Sequence, residues 1–196
     1  MVAGERVNLR KLEKEDISRL IKWMSSQDFS YYLYGSPLDS LSEIEQKISR
    51  LIEGPFSVYD SSMHFIIETK KSEPIGLVTF FNISWKNRNL NVEVMIGKKE
   101  HRNKFYGVDA YLTALKFIFQ ELNMHKVVGY VNQYNQRSIK IAERGGAKCE
   151  GTLRKHIFIN GKYYDLYIYG LLKKEYLKLT GELKKLRYWK NKLDVK

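Results

Sequence analysis

Residues 7–12, Val-Asn-Leu-Arg-Lys-Leu, alternate apolar and polar positions and predict a short first strand. Glu13, Glu15 and Asp16 follow, carboxylates suited to the positive end of a helix. Ile17, Leu20, Ile21 and Met24 give that helix an apolar stripe, and Gly35-Ser36-Pro37 breaks the pattern. Ser40 and Glu43 form a capping-box pair ahead of a second helix with Leu41, Ile44, Ile48, Leu51 and Ile52 on one face. Gly54-Pro55 ends it. The middle is strand-rich: residues 63–68 and 74–81 flank a polar turn at 70–73, and a turn at Asn87-Arg88-Asn89 precedes a strand over 90–96. Helical spacing returns over 108–122 through Tyr111, Leu112, Leu115, Ile118, Phe119 and Leu122. Residues 126–131 read as a buried strand, and a short helix starts at Asn135 or Ser138 and stops at Gly145-Gly146. A hairpin closes the core, with strands over 150–159 and 163–171 around Asn160-Gly161, a dipeptide whose two residues accept positive φ.

The order is strand, two helices, three strands, helix, strand, helix, hairpin. A strand–helix–strand unit inside an otherwise antiparallel set predicts an α/β (α+β mixed) fold, a mixed sheet with helices on its faces. Residues 1–172 read as one domain. Residues 173–196 read as a basic amphipathic tail, with Tyr176, Leu179, Leu183, Leu186 and Leu193 at roughly helical intervals and an interruption at Gly181. That tail either packs on its own domain or a neighbouring subunit, or docks on an anionic surface.

A length of 196 residues with 43% hydrophobic and 13% aromatic content supports a proper core and excludes extensive disorder. No apolar run reaches the roughly 20 residues needed to cross a bilayer. Residues 1–10 lack a secretion-signal pattern, and the single cysteine, Cys149, has no internal partner, so a cytoplasmic protein is expected. No His/Cys cluster has metal-ligand spacing, so no metal is expected. Of the net charge of +12, half falls after residue 172, where nine Lys/Arg face three Asp/Glu. Such a surface attracts nucleic acid, anionic lipid or phosphorylated ligands, and also occurs without any such role.

The chemistry-bearing segment is residues 96–108, where a strand exits through a basic, glycine-containing turn into a long helix. Such a turn offers unpaired N–H groups and the positive helix end to an anion, and Arg102 and Lys104 add charge. Arg102-Asn103-Lys104-Phe105-Tyr106-Gly107 resembles the pyrophosphate loop of the GNAT superfamily of acyl-CoA N-acyltransferases, Arg/Gln-x-x-Gly-x-Gly/Ala, with Phe105 in place of the first glycine. The helix-to-strand passage at 123–127, Asn135-Gln136-Arg137-Ser138, Glu150 to Arg154, Asn160-Gly161-Lys162 and Asp165 follow in the order of the branch holding ribosomal-protein N-terminal and spermidine (diamine) acetyltransferases. The likeness spans about residues 5–172.

This resemblance implies a largely antiparallel sheet whose two middle strands splay apart around acetyl-CoA. It places the coenzyme on backbone groups of Val94, Met95 and Ile96, on the turn Arg102, Asn103, Lys104, Phe105, Tyr106 and Gly107, and near Asn135 and Ser138. It implies transfer of an acetyl group to a primary amine: a protein N-terminus, a polyamine, an amino sugar or a similar acceptor. Glu93, opening the splayed strand, is the candidate base or a solvated strand carboxylate. The family's tyrosine acid falls at Ala142 here, leaving water or another tyrosine, such as Tyr134, to protonate the thiolate. Tyr31, Tyr32 and Tyr34 are candidates for an acceptor pocket or for packing. Cys149 reads as packing and His125 as a turn cap. The alternative function is a catalytically weak GNAT-like binding module whose tail engages ribosome, nucleic acid or a partner protein. A homodimer through the hairpin edge or tail fits either reading, and the coenzyme site should survive loss of residues 174–196.

Overall fold

The computed structural model describes residues 1–25, 62–102 and 104–183. The second predicted helix, Tyr31, Tyr32, Tyr34, Asn103 and the last part of the tail lie outside these residues.

The described chain runs β1 (Val2–Ala3), β2 (Val7–Lys11), α1 (Ile17–Met24), β3 (Met63–Thr69), β4 (Pro74–Ser84), β5 (Asn89–Ile96), α2 (Tyr106–Lys116), β6 (Lys126–Asn132), α3 (Gln136–Arg144), β7 (Lys148–Ile159), β8 (Lys162–Leu172) and α4 (Lys173–Leu183). One eight-stranded sheet has the order β1-β2-β3-β4-β5-β6-β8-β7. Only β5 and β6 are parallel, because α2 carries the chain from one to the other across a face of the sheet. Both faces are covered. On one, Val7, Ile67, Val78 and Leu90 pack with Ala110, Ala114 and Leu115 of α2. On the other, Leu12, Ile66 and Met95 pack against Leu20 and Trp23 of α1. Complete burial of side chains such as Phe80, Phe119 and Ile118 contributes about 1.5–3 kcal/mol each.

Two elements differ from the sequence reading. The helix expected over 108–122 ends in a widened π turn, Phe117–Glu121, in which the Leu122 N–H donates to Phe117 O at 3.0 Å. The wider turn accompanies a cluster in which the Phe117 ring lies 5.7 Å from Phe65 and 6.2 Å from Phe80. Second, α4 runs through Gly181 without interruption. An exposed mid-helix glycine costs about 1 kcal/mol, and packing outweighs it. Tyr176 is buried and stacks on Phe119 at 4.9 Å, and Leu179 fills the space beside Gly146, where a Cβ would lie 2.1 Å from Leu179 Cδ1. Gly146 therefore needs its missing side chain twice, for that contact and for its φ of +82°.

The β7–β8 hairpin turns at Asn160 (φ 49°) and Gly161 (φ 76°), as the dipeptide predicts. Strand β7 is a sheet edge, and its register shifts between Leu153 and Ile157. Lys155, at φ 53°, leaves the ladder there and donates its N–H to Asp165 Oδ1 at 2.8 Å. Among the described residues no helix is long and apolar enough to cross a membrane.

Candidate active site

Strands β5 and β6 form the site by parting. They pair only at Asn89–Lys126, Leu90–Val127 and Asn91–Val128. Beyond that point β5 stays on β4 as far as Ile96, and β6 stays on β8 as far as Asn132. A fork opens in mid-sheet with its apex at Asn91 and Val128. Antiparallel alternation fixes which backbone groups face it. Gly97 N donates to Ile75 O at 2.9 Å, so the odd-numbered residues of β5 turn their amides toward β4. Val94 and Ile96 turn theirs into the fork, where β6 no longer meets them, while the Val92 amide still belongs to the last rung at Asn91–Val128. The set expected from sequence was Val94, Met95 and Ile96; of these, Val94 and Ile96 face the fork and Met95 directs its amide to β4.

Below the fork mouth, the basic turn runs through a 3-10 turn, Lys99–His101, into α2. Arg102 is less free than expected: its Nε donates to Ile96 O at 3.1 Å and an Nη to Gly97 O at 3.2 Å, so it holds the end of β5 in place. Lys104 is exposed. Phe105 occupies the N-cap of α2 at φ 64°, ψ 0°, the left-handed region that glycine enters freely and a bulky side chain does not. Tyr106 begins α2 with its ring edge-on to His101 at 5.3 Å, and Gly107 follows with room for a Cβ, 3.5 Å from Ile96 Cγ1. Asp109 in the first turn of α2 accepts backbone N–H groups of Glu5, Arg6 and Val7, binding β2 to this helix. Asn135 caps α3, its side-chain oxygen accepting from Ser138 N at 3.1 Å. The pair read from sequence as coenzyme-facing thus builds the helix start itself.

Glu93 lies inside β5, two residues past the apex, on the sheet face that carries Met95 and α1. No described residue gives it a hydrogen bond or ion pair, and burial pushes its carboxyl above the ordinary range. Directly across the strands stand Thr79 and His64, in one row with it. His64 Nδ1 is 3.3 Å from Thr79 Oγ1 and Nε2 is 2.9 Å from Ser62 Oγ, while burial lowers the pKa of the ring. Asn91, one strand repeat below Glu93, is 7% exposed, and its Nδ2 has no hydrogen-bond partner among the described residues. Sequence reading missed Asn91; it alternates with polar Asn89 and Glu93 along β5, and nothing in that pattern marks it as the last rung.

Ala142 is buried on α3 and carries no acid. Tyr111 of α2 packs against the end of α3, its Cε1 3.6 Å from the Cβ position of Gly145, and burial raises its hydroxyl to about 12. Tyr134 follows β6; its hydroxyl accepts from Asn132 Nδ2 at 2.8 Å, and its ring meets Tyr164 edge-on. Cys149 is exposed rather than packed, and His125 acts through its backbone, donating N–H to Arg88 O and accepting from Lys173 N. The described residues include no cluster able to hold a metal.

Comparison with known proteins identifies the family and the fold. The profile of the acetyltransferase (GNAT) domain matches residues 6–148. The spermidine N(1)-acetyltransferase of Vibrio cholerae serotype O1 is 27% identical over 174 residues, covering 89% of this chain and 97% of that protein. The crystal structure of spermidine N-acetyltransferase from Vibrio cholerae in complex with CoA and spermine superposes with a TM-score of 0.77 at 26% identity, over 88% of this chain and 98% of that one. A dodecameric structure of spermidine N-acetyltransferase from the same organism gives 0.73 at 26% identity, over 89% and 98%.

Proposed function

Because the chain belongs to the GNAT acetyltransferase family and is an acetyl-CoA-dependent N-acetyltransferase, we propose that acetyl transfer takes place at the fork between β5 and β6, with Glu93 as the base. The observation that carries this reading is the parting of the two strands after Asn91 and Val128 beside a half-buried carboxylate that has no partner among the described residues. Val94 offers its edge N–H and C=O, and Ile96 its N–H, to the amides of a pantetheine arm, which would otherwise stay unsatisfied away from water. The pyrophosphate meets the N-terminal end of α2, where Lys104, Tyr106 and Gly107 surround free amide donors.

The acceptor arrives as an ammonium ion, which has no lone pair. Glu93 takes one proton, directly or through water. The neutral amine attacks the thioester carbon, and a fork-facing N–H holds the developing oxyanion. The C–S bond then breaks, the nitrogen gives up a second proton, and the thiolate takes one. A base with a raised pKa is matched to this task, since it is nearer the operating pH than an ordinary glutamate. Ala142 cannot serve the thiolate. Water or the Tyr134 hydroxyl, at the end of the other fork strand, takes that place.

The acceptor is a primary amine. The names of the relatives support a polyamine, and the dodecameric relative supports self-association of this chain. The test is calorimetric titration with acetyl-CoA, with ATP as control, followed by thiol release over an amine panel. Micromolar binding weakened by Lys104→Ala, and thiol release abolished by Glu93→Gln, are expected. Binding that persists with full turnover in Glu93→Gln would overturn the assignment of the base.

A further inference from the structure

Each acetylation leaves one proton over. The acceptor ammonium gives up two, the thiolate takes one back, and on the reading above one rests on Glu93. A polar row leads away from that carboxyl across the sheet. Glu93, Thr79 and His64 are successive cross-strand partners on β5, β4 and β3. They share the α1 face, because Met95, Leu77 and Ile66, two residues along each strand, pack there. Opposed side chains in such a row stand about 4.5–5.5 Å apart at Cβ. His64 Nδ1 is 3.3 Å from Thr79 Oγ1, and its Nε2 is 2.9 Å from the Oγ of Ser62, which is exposed. On the far side, Leu12 donates its N–H to His64 O at 3.2 Å and brings no charge. The charged groups further along this face, Arg10, Glu68, Asp16 and Arg19, bind one another. Burial lowers the pKa of the His64 ring, so at neutral pH one of its nitrogens donates and the other accepts.

We propose that Thr79 and His64 are the proton exit of this enzyme, carrying the proton from Glu93 to water at Ser62; this rests on Glu93 being the base. His64 keeps its N–H on Nε2, donating to Ser62, and accepts the Thr79 hydroxyl at Nδ1. Thr79 has one proton, so it keeps only oxygen lone pairs for Glu93. An ionised Glu93 gains nothing from them, whereas a protonated Glu93 donates to Thr79 Oγ1, directly or through one water. The contact therefore forms once Glu93 has taken the acceptor's proton. The Glu93 proton then moves to Thr79 Oγ1, the Thr79 proton to His64 Nδ1, and the Nε2 proton through Ser62 to water. Exchange with water restores the first tautomer. Glu93 is left ionised for the next acceptor while products still fill the fork. Thr79 and His64 touch neither substrate; they are positioning residues that act through Glu93.

The test measures kcat and kcat/KM for thiol release with saturating acetyl-CoA and the amine of the panel that turns over fastest. Each variant is assayed in dilute and in concentrated imidazole buffer at one pH and ionic strength. His64→Gln keeps hydrogen bonds to Thr79 and Ser62 but carries no proton. Its kcat should fall about tenfold or more in dilute buffer. The value of kcat/KM should change less, because the exit follows the steps that commit the acceptor. Concentrated imidazole, a diffusible proton carrier, should restore kcat in the variant and leave wild type unmoved. Thr79→Val should behave as His64→Gln does, and Thr79→Ser should recover most of the loss. Wild-type kcat in His64→Gln, or a loss that neither imidazole nor the serine relieves, overturns the exit. Full turnover in Glu93→Gln overturns the base, and the exit with it. A dead Glu93→Gln beside an unimpaired His64→Gln overturns the exit alone. Should His64→Gln not fold, the two Thr79 variants decide.

Discussion

The Arg6 guanidinium lies over the ring of Phe105, its central carbon 5.9 Å from the ring centre. The residue that replaces a family glycine is therefore held by the N-terminal segment in a backbone conformation that glycine would adopt unaided. A non-glycine residue in the left-handed region costs roughly 1–2 kcal/mol, and a cation over an aromatic face returns about 0.5–1 kcal/mol at an exposed site. Phe105→Gly should leave stability within about 1 kcal/mol of wild type, measured by urea unfolding. Phe105→Ala keeps the strain and loses the ring, so it should be less stable than either. If the ring also hinders approach to the α2 amides, Phe105→Gly binds acetyl-CoA more tightly; unchanged affinity in calorimetry would show that the loop already admits it.

Glu93 links activity to stability with opposite signs. Burial raises its pKa, so the folded protein binds the proton more tightly than the unfolded chain does. The group therefore imposes no penalty below the ordinary glutamate pKa, and destabilises progressively as pH rises through the folded value. Glu93→Gln should melt higher than wild type at neutral pH and equally near pH 3, while kcat falls by roughly a hundredfold or more. Wild-type kcat/KM should rise with pH through the same raised pKa. A variant that is less stable at neutral pH would show that the carboxylate is satisfied after all.

Asp16 behaves in the reverse way. It is buried and receives Arg10 at 2.7 and 2.8 Å, Arg19 at 2.8 Å and Glu13 N–H at 3.1 Å. Burial pushes its pKa up, but the hydrogen bonds and positive charges prevail and hold it below the ordinary value. The stability it contributes is full above the ordinary aspartate pKa and is lost as pH falls through the depressed one. Asp16→Asn should cost about 3–5 kcal/mol at neutral pH, as for one partner removed from a buried pair. Its difference from wild type should narrow in acid; a pH-independent difference in chemical denaturation would contradict the linkage.

The tail divides at the end of α4. Ending the chain after Leu183 should leave melting temperature and acetyl-CoA binding unchanged. Ending it at Lys173 removes Tyr176 from Phe119 and Leu179 from Gly146, and should destabilise by about 3–5 kcal/mol, as large core truncations do. The same two truncations test the expectation that coenzyme binding survives loss of residues 174–196. Equal melting temperatures for the two truncations would show that α4 adds nothing to the core.

How much of this was legible from sequence depended on whether the cause was local. The Asn160-Gly161 hairpin was readable because two adjacent residues fix their own φ. The start of α3 was readable because Asn135 caps it within three residues. The fork was not readable from the residues of β5: its apolar pattern is the same before and after Asn91, and only pairing with β6, more than thirty residues on, decides where it ends. The family likeness supplied the fork without locating its apex. The direction of the Met95 amide was hidden for the same reason, since the phase of strand alternation shows only in the pairing with Ile75 across the sheet. Gly181 misled because a local cost was weighed without the distant contacts of Tyr176 and Leu179.

Strand β7 leaves one edge of the sheet uncovered among the described residues, with Leu153 and Phe158 exposed along it and Tyr163 exposed on its neighbour. A flat edge of that length invites another chain to continue the ladder without limit. Arg154, Lys155 and His156 interrupt it at its middle, where the backbone kinks out of register and two cations stand in the way. The same three residues that look like a local irregularity break the regular edge on which a further chain would have to pair.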